Sequence, residues 1–392
     1  MFNRQTYQCL KRIAWRECKR LVSRPLYIFA MVGAPLFCYV FFTTLMDEGL
    51  PTDLPVGAVD MDDSATSRNL VRNLDAFQQT HIAAHYPSPS EARAAMQRGD
   101  IYGFYYIPPR FSEELQANRQ PKASFYTNNA YLIAGSLLYR DMKTMSELAN
   151  GAAGRTVLYA KGTTEAQAMA FLQPIVIDTH AIHNPWLNYS VYLCNTILPG
   201  ILMLLIFMTT VYSIGTEVKE RTSHQWLRMG GGSMYVALCG KLLPHTVVFT
   251  VMAAFYNAWL YGFLHFPCHD GILPMLLASL LLVLSSQACG VFMIGMLPTL
   301  RLGLSFASIW GVLSFSISGF TFPVMAMHPA LQALANLFPL RHYYLIYAGQ
   351  ALNGYGMAYT WPSYVALLLF LFLPFLVMNR LKTAMAHYKY IP

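Results

Sequence analysis

Six long apolar runs with almost no charge dominate this sequence and restrict what it can fold into. Each is near or above the ~20 residues that an α-helix needs to cross the hydrocarbon core of a bilayer. The chain is only 12% charged, whereas a soluble domain has about 25% charged residues. We therefore predict a polytopic α-helical membrane protein. Its six transmembrane helices are expected at 26–46, 191–215, 236–264, 272–297, 302–320 and 361–378.

Lysine and arginine lie mainly at one end of these spans. Seven lie in residues 1–25, and more follow the second, fourth and sixth spans, the last group in a tail at 379–392. Because cytoplasmic loops are enriched in these residues, we expect a multi-pass protein of the cell (inner) membrane with both termini cytoplasmic. This placement also accounts for the net charge of +8 without a nucleic-acid partner. The cations beyond residue 25 that carry the expectation are Lys219, Arg221, Arg228, Lys241, Arg301, Arg380, Lys382 and Lys389.

Residues 1–25 have the pattern of an amphipathic helix. The apolar positions near helical spacing are Tyr7, Leu10, Ala14 and Leu21. Lysine and arginine fill the other face, and Trp15 suits a membrane interface. We predict a cytoplasmic helix lying on the inner leaflet in contact with membrane lipid. The alternative is a basic flank of the first span.

The polar segment 47–190 is predicted to be an extracytoplasmic α/β domain with a mixed sheet, because short strand and helix patterns alternate along it. It has 15 acidic and 11 basic residues and no cysteine, so no disulfide framework is expected there. Its helices are expected to begin after Asp63 or Ser64 and after Ser88 or Ser90. The predicted strands are LPVGAVD, HIAAHYP, IYGFYYIPP, KASFYTN and PIVIDTHAIHN.

Four histidines in this segment raise the question of a metal site. They form two pairs, His81 with His85 and His180 with His183. Histidine is a common metal ligand, but residues four apart on a strand lie ~13 Å from each other. We therefore expect ordinary strand histidines and no metal site.

The segment 216–233 links the second and third spans and is predicted to be a short, charged cytoplasmic helix. It is too long for a tight turn and too short for a domain, so it could transmit force from a partner protein. The alternative is a solvated loop helix with no partner. The candidate coupling residues are Glu217, Lys219, Glu220, Arg221, Thr222 and Trp226.

The Gly-Lys pair in GGSMYVALCGKLLPH is not a phosphate-binding loop. That loop needs glycine where Tyr235 stands, and serine or threonine where Leu242 stands. The sequence also contains no recognisable catalytic constellation. We therefore expect a non-enzymatic chain that binds no cofactor itself, with ATP-Mg on a partner subunit if transport is active.

The stretch 316–350 begins as a membrane span and then breaks it. Irregular backbone at membrane depth is tolerated only where it is buried in protein or lines a water-filled cavity. We predict two short re-entrant half-helices, with Arg341 snorkelling outward or pairing with an acid of the extracytoplasmic domain. The alternative is a pair of amphipathic surface helices. The residues singled out are Gly319, Phe320, Phe322, Pro323, Pro329, Pro339 and Arg341.

Several polar residues lie inside the predicted spans, where such residues usually face the bundle interior. They could line a transport path, or they could form hydrogen bonds between helices. The candidates are Asn195, His245, Asn257 and Gln287.

The order of these parts resembles the permease subunits of type 2 ABC (ATP-binding cassette) exporters, in the branch with a large extracytoplasmic domain between spans one and two. The resemblance covers nearly the whole chain. The segments that carry it are VGAVDMDDSATSRNLVRNL, SEARAAMQRGDIYGFYYIPPRFSEEL, ASFYTNNAYLIAG, TEVKERTSHQWL, GKLLPH and SGFTFPVMAMHPALQALANLFPLRHYYLI. One departure is that the family's coupling segment usually has Gly-Thr where this chain has Arg221-Thr222.

The resemblance implies a homo- or heterodimer of permeases with cytoplasmic ABC ATPase subunits. The N-terminal helix and residues 216–229 would contact the ATPases, and the re-entrant half-helices would form an outer gate. A periplasmic adaptor protein is a further candidate partner. The expected function is ATP-driven export of a small amphipathic, drug or lipid-like molecule, and replacing Glu217 or Glu220 with lysine is expected to abolish export while leaving insertion intact. The alternative is a membrane-anchored surface or receptor protein whose outer domain binds a partner without transport.

Overall fold

The computed structural model describes residues 4–117 and 119–387. Lys389 and the last residues of the predicted tail therefore lie outside the described residues. The chain divides into two compact units. The first, called here the helical unit, is Met1–Asp47 with Ile182–Pro392, and the second, called the α/β unit, is Glu48–Ala181.

The helical unit begins with a long helix and the first span. Helix α1 covers Arg4–Ser23, and α2 covers Pro25–Ile28. A π-helical turn at Phe29–Gly33 joins α2 to α3, which covers Ala34–Leu45. Pro25 stands in the first turn of α2, where its missing N–H costs no hydrogen bond. The first apolar helix therefore starts directly after α1.

Strands and helices alternate along the α/β unit. Their order is β1 (Leu54–Asp60), α4 (Ala65–Asp75), β2 (Thr80–His85), α5 (Pro89–Arg98), β3 (Gly103–Ile107), α6 (Phe111–Gln116), β4 (Ser124–Thr127), α7 (Leu132–Ala160) and α8 (Glu165–Leu172). The sheet order is β2-β1-β3-β4. Strands β2, β1 and β3 are parallel, and β4 pairs antiparallel with β3. The predicted mixed sheet is confirmed.

Helices cover both faces of this sheet. Val56 and Ala58 of β1 pack with α4, α6 and α7 on one face. Val59 packs with α5 on the other, because successive strand residues point to opposite faces. Ser64 accepts a hydrogen bond from Ser67 N and so caps α4, and Ser88 caps α5 in the same way. Both caps are among the predicted candidates.

One predicted strand is wrong. Residues 174–184, PIVIDTHAIHN, form no regular strand. Ile175, Val176 and Ile177 are 79%, 81% and 79% exposed. The run has high β-propensity, but it pairs with neither edge of the four-stranded sheet, and propensity alone does not make a strand. His180 and His183 consequently do not lie on a strand.

The remaining helices complete the helical unit. They are α9 (Tyr189–Lys219), α10 (Ser223–Met229), α11 (Met234–Asn257), α12 (Ile272–Met296), α13 (Leu300–Ile317), α14 (Pro329–Ala335), α15 (Pro339–Ile346), α16 (Met357–Phe370) and α17 (Leu373–His387). Further π-helical turns extend α11 over Ala258–Phe263 and α15 over Tyr347–Leu352. Within the described residues, six helices are long and apolar enough to cross a membrane, as predicted.

Helices α9 and α12 form the centre of the helical unit and are its most buried spans. Two glycines allow close helix approach there. A Cβ on Gly290 of α12 would lie 2.8 Å from Thr210 Cβ of α9. A Cβ on Gly200 of α9 would lie 2.4 Å from Phe315 Cε1 of α13. Larger residues at these two positions would push the three helices apart.

Candidate functional site

A cluster of buried charges joins α1, the end of α9 and the start of α11. Glu17, Glu217, Lys241 and His245 are all fully buried. Buried ions are costly unless they are paired and hydrogen-bonded, and clusters of buried charges often mark functional sites. The members, called here the ion-pair cluster, are Arg16, Glu17, Arg20, Arg24, Glu217, Glu220, Lys241 and His245.

Lys241 bridges the two buried carboxylates. Its Nζ donates to Glu17 Oε2 over 2.9 Å and to Glu217 Oε1 over 2.7 Å. One ammonium group thus ties α11 to both α1 and α9. Ser213 Oγ also donates to Glu17 Oε1 over 3.0 Å, and His245 Nε2 lies 3.2 Å from the same oxygen.

Two arginines of α1, together with Arg24 directly before α2, hold the acids at the end of α9. Arg16 and Arg20 are one helical turn apart and so share a face of α1, whereas Arg24 has an extended backbone between α1 and α2. Arg16 Nη2 lies 2.9 Å and 2.7 Å from the two carboxylate oxygens of Glu217. Arg20 pairs with both Glu217 and Glu220. Arg24 Nη1 lies 2.7 Å from Glu220 Oε1.

The cluster sets the charge state of its acid on α1. Burial alone would raise the pKa of Glu17. The hydrogen bond with His245 and the charge of Lys241 outweigh it and lower the pKa to about 2 from an ordinary value of 4.5. The pKa of Glu220 is also lowered, mainly by its hydrogen bond with Arg24. Both acids are therefore held ionised.

The stability of the helical unit should therefore depend on pH through Glu17. Because the folded pKa lies below the unfolded one, ionised Glu17 stabilises the fold above pH 4.5, and this contribution is lost as pH falls towards 2. We expect the melting temperature of the purified protein to fall more steeply below pH 4.5 than that of Glu17→Gln, which starts lower at neutral pH. Parallel melting profiles for the two proteins would contradict this assignment.

Part of the helix predicted at 216–233 is present as α10, whereas Glu217 belongs to the end of α9. Two of the candidate residues point inward. Glu217 and Trp226 are fully buried. Trp226 Nε1 donates to Ala237 O over 3.1 Å, and Lys241 Nζ lies 5.3 Å from the centroid of its ring. In this conformation both side chains are enclosed by contacts within the chain, so neither is accessible to a partner protein. Direct partner contact by these two residues stays a prediction, and it would require their side chains to leave these contacts.

Other residues of the same segment do face outward. Thr222 is half-buried and donates its hydroxyl to Glu217. Arg221 has a φ of 59°, in the left-handed region, and starts the turn into α10. The exposed side chains of the segment are Lys219, Glu220, Arg221, His224, Gln225 and Arg228. This surface is therefore predominantly basic.

The four polar span residues lie between helices and are buried. Asn195 Oδ1 accepts from Tyr261 OH over 2.8 Å, and Asn257 Nδ2 donates to Ser279 Oγ over 2.8 Å. Gln287 Oε1 accepts from Thr246 Oγ1 over 2.7 Å. His245 belongs to the ion-pair cluster. The structure thus places all four in contacts that hold helices together.

The broken segment after α13 consists of short pieces. A 3₁₀ turn at Val324–Ala326 is followed by α14 and α15. Pro329 and Pro339 each stand in the first turn of these helices, so they start helices and do not interrupt one. Pro323 precedes the 3₁₀ turn, Phe320 is buried, and Phe322 is half exposed.

Arg341 holds the two sides of this segment together. Its Nη1 donates to Ser318 O over 3.2 Å, and its Nε lies 3.4 Å from Asn336 Oδ1. Gly319, with a φ of 104°, lies beside it, and a Cβ there would approach Arg341 Nη1 to 3.0 Å. Among the described residues Arg341 forms no ion pair. The guanidinium serves here as a donor to a backbone carbonyl.

Sequence reasoning missed most of the cluster around Glu217. Glu17 is the sole acid in residues 1–25, and Lys241 is a lone cation in an apolar run. Isolated charges of this kind in a membrane protein usually pair with one another, and that pattern could have found them. Lys241, predicted to be one of the cations on the cytoplasmic side, is fully buried, and its sidedness stays a prediction.

Comparison with known proteins identifies the family. A family model described as "ABC-2 family transporter protein" matches residues 25–378, which is most of the chain. No curated protein matches the sequence. Membership implies an ATP-binding subunit as partner, typically a separate chain. With six apolar helices and this match, the chain belongs to the ABC-2 family of transporter proteins and is a membrane-embedded ABC permease.

Proposed function

We propose that this permease is part of an ATP-driven exporter in the cell (inner) membrane, with both termini cytoplasmic. It moves a small amphipathic, drug or lipid-like molecule out of the cytoplasm or inner leaflet. A second permease chain and cytoplasmic ATPase subunits complete the machine. The basic end of the helical unit and the family match support the sidedness and the ATPase partner.

The ion-pair cluster is the observation that carries the proposal. It links α1, α9 and α11 through fully buried charges, and Trp226 anchors α10 to α11. A push on α10 would move these helices together, because separating them would leave unpaired charges in the protein interior. ATP-driven closure of the ATPase dimer would supply that push.

The exposed face of the coupling segment is the proposed ATPase contact. Lys219, Arg221 and Arg228 are exposed there and leave a basic surface. A basic patch favours an acidic groove on the partner and speeds association. Glu220 is about one-third exposed, but arginines of the chain itself hold it, so it contributes less to this surface.

The outer end of the transport path is proposed to lie at residues 316–350. The short helices α14 and α15 and the 3₁₀ turn make this a segment that can change its backbone without unwinding a complete span. Arg341 and Gly319 would fix its closed form through the Ser318 carbonyl. The α/β unit would then lie outside the membrane, where a periplasmic adaptor is a candidate partner.

Charge reversal on the exposed face should disconnect the ATPase. We expect a variant with Lys219→Glu, Arg221→Glu and Arg228→Glu to fold normally but to retain about tenfold less ATPase on purification, since each charge contact is worth up to about 1 kcal/mol. The measurement is the ATPase-to-permease ratio by mass spectrometry after mild extraction.

The matched control makes the same change in net charge on the α/β unit, with Arg93→Glu, Lys122→Glu and Lys143→Glu. All three control residues are exposed. Equal ATPase recovery from both variants would exclude the proposed contact surface. Complete absence of an ATPase from the unaltered protein would instead favour a membrane-anchored surface protein.

A further inference from the structure

An apolar groove runs along one side of the α/β unit. It has a volume of 930 Å³ and lies between α4, α6 and the second half of α7. That volume is near the upper end of the ~300–1,000 Å³ range of small-molecule sites. The larger apolar side chains that line it include Leu70, Phe77, Phe111, Leu115, Met145 and Leu148.

The groove exists because α7 continues past the core of its unit. Its buried residues all lie between Ala134 and Met145, although the helix continues to Ala160. Beyond Met145 it presents small residues to the groove, among them Ala149 and Ala153. Leu148 remains 62% exposed. A ligand that covers an apolar surface of this kind lowers the free energy, because it removes the surface from water.

The lining is nearly free of charge. Lys161, at the end of α7, is its one charged residue, and its remaining polar members are asparagine, glutamine and threonine. Within the described residues Lys161 makes no ion pair and no carboxylate lines the groove. The groove therefore offers an apolar body and a single cationic end.

We propose that this groove binds an amphipathic organic anion of the long-chain carboxylate type. The tail lies along Leu148 and Phe111, and the carboxylate lies at Lys161. A helix of a partner protein fits less well, because a rod 10–12 Å wide would fill 930 Å³ in about two turns. Two turns bury far less than the ~800 Å² per partner of a stable interface. The inference goes beyond transport, since binding here needs no ATPase.

Photolabelling of the full chain tests the site. The protein is placed in detergent-free lipid nanodiscs and irradiated with a palmitate analogue that carries a diazirine in its tail. Labelled peptides are then mapped by mass spectrometry. We expect labels on peptides containing Leu115 and Leu148, displaced by palmitate but not by the same chain with a trimethylammonium head. Labels on the six spans report unspecific entry from lipid and serve as the internal reference.

Variants assign the two ends of the groove. Ala153→Trp should fill the groove and remove its labels, whereas Tyr139→Trp, on an exposed part of α7 outside the groove, should keep them. Lys161→Glu should reduce labelling about threefold or more, and Lys161→Arg should retain it. Circular dichroism confirms that each variant is folded. Labels confined to the spans, equal displacement by the cationic competitor, or undiminished labelling of folded Ala153→Trp would each overturn the proposal, and none of these results bears on ATPase binding.

Discussion

Replacing Glu217 with glutamine is expected to destabilise the helical unit by about 3–5 kcal/mol, the usual cost of breaking a buried ion pair from one side. The carboxylate of Glu217 accepts from Arg16, Arg20 and Lys241. A neutral amide would leave these three cations with less negative charge than they need in a buried site. The measurement is the unfolding midpoint of the purified protein in mixed micelles on titration with a denaturing detergent.

Glu220→Gln is the matched control for this result. Glu220 lies three residues further along, pairs with Arg20 and Arg24, and is about one-third exposed. Its loss should cost no more than about 1 kcal/mol, because solvent can screen the arginines. Equal destabilisation by the two variants would show that burial of Glu217 is not what makes it important. Glu217→Lys would add a further cation to the cluster, so we now expect it to impair folding as well as export.

Replacing Trp226 with alanine is expected to cost about 3–5 kcal/mol, as for other large aromatic residues removed from a core. Its side chain is fully buried and contacts α11 through the Ala237 carbonyl and Lys241. Loss of the ring would open a cavity between α10 and α11 and weaken the attachment of α10 to α11. The unfolding midpoint again measures the loss, and ATPase recovery should fall with it.

Two substitutions separate packing from surface effects in the same helix. Trp226→Phe keeps most of the apolar packing and loses the indole donor, so about 1 kcal/mol is expected. Arg228→Ala changes an exposed side chain and should alter stability by no more than about 0.5 kcal/mol. A loss at Arg228 as large as that at Trp226 would mean that α10 is not anchored through its buried face.

The six spans could be predicted from sequence because a bilayer demands about 20 apolar residues per helix. Their ends were less predictable. The apolar pattern predicts the last span at 361–378, whereas its helices run over Met357–His387 with a short break after Phe370. A helix can continue beyond the apolar region as long as its backbone hydrogen bonds are satisfied. Amino-acid composition therefore does not predict the residue at which it ends.

The charge cluster could be predicted only in part. A lone acid at Glu17 and a lone cation at Lys241 are visible in the sequence, and each calls for a partner. Which charges meet was not visible, because Lys241 and Glu17 are 224 residues apart and their contact depends on how α1 packs on α11. The same packing places Trp226 on the buried face of α10. The sequence of a short helix with both apolar and charged residues does not predict which face is buried.

The turn at Arg221 has a backbone conformation that favours glycine, although the residue is arginine. Glycine adopts this left-handed conformation without steric cost, whereas another residue bears a strain of roughly 1–2 kcal/mol. Hydrogen bonds on either side, from Glu220 N to Thr216 O and from Thr222 N to Glu217 O, hold the turn in place. We therefore expect Arg221→Gly to retain the turn, whereas a β-branched residue at this position would disrupt it.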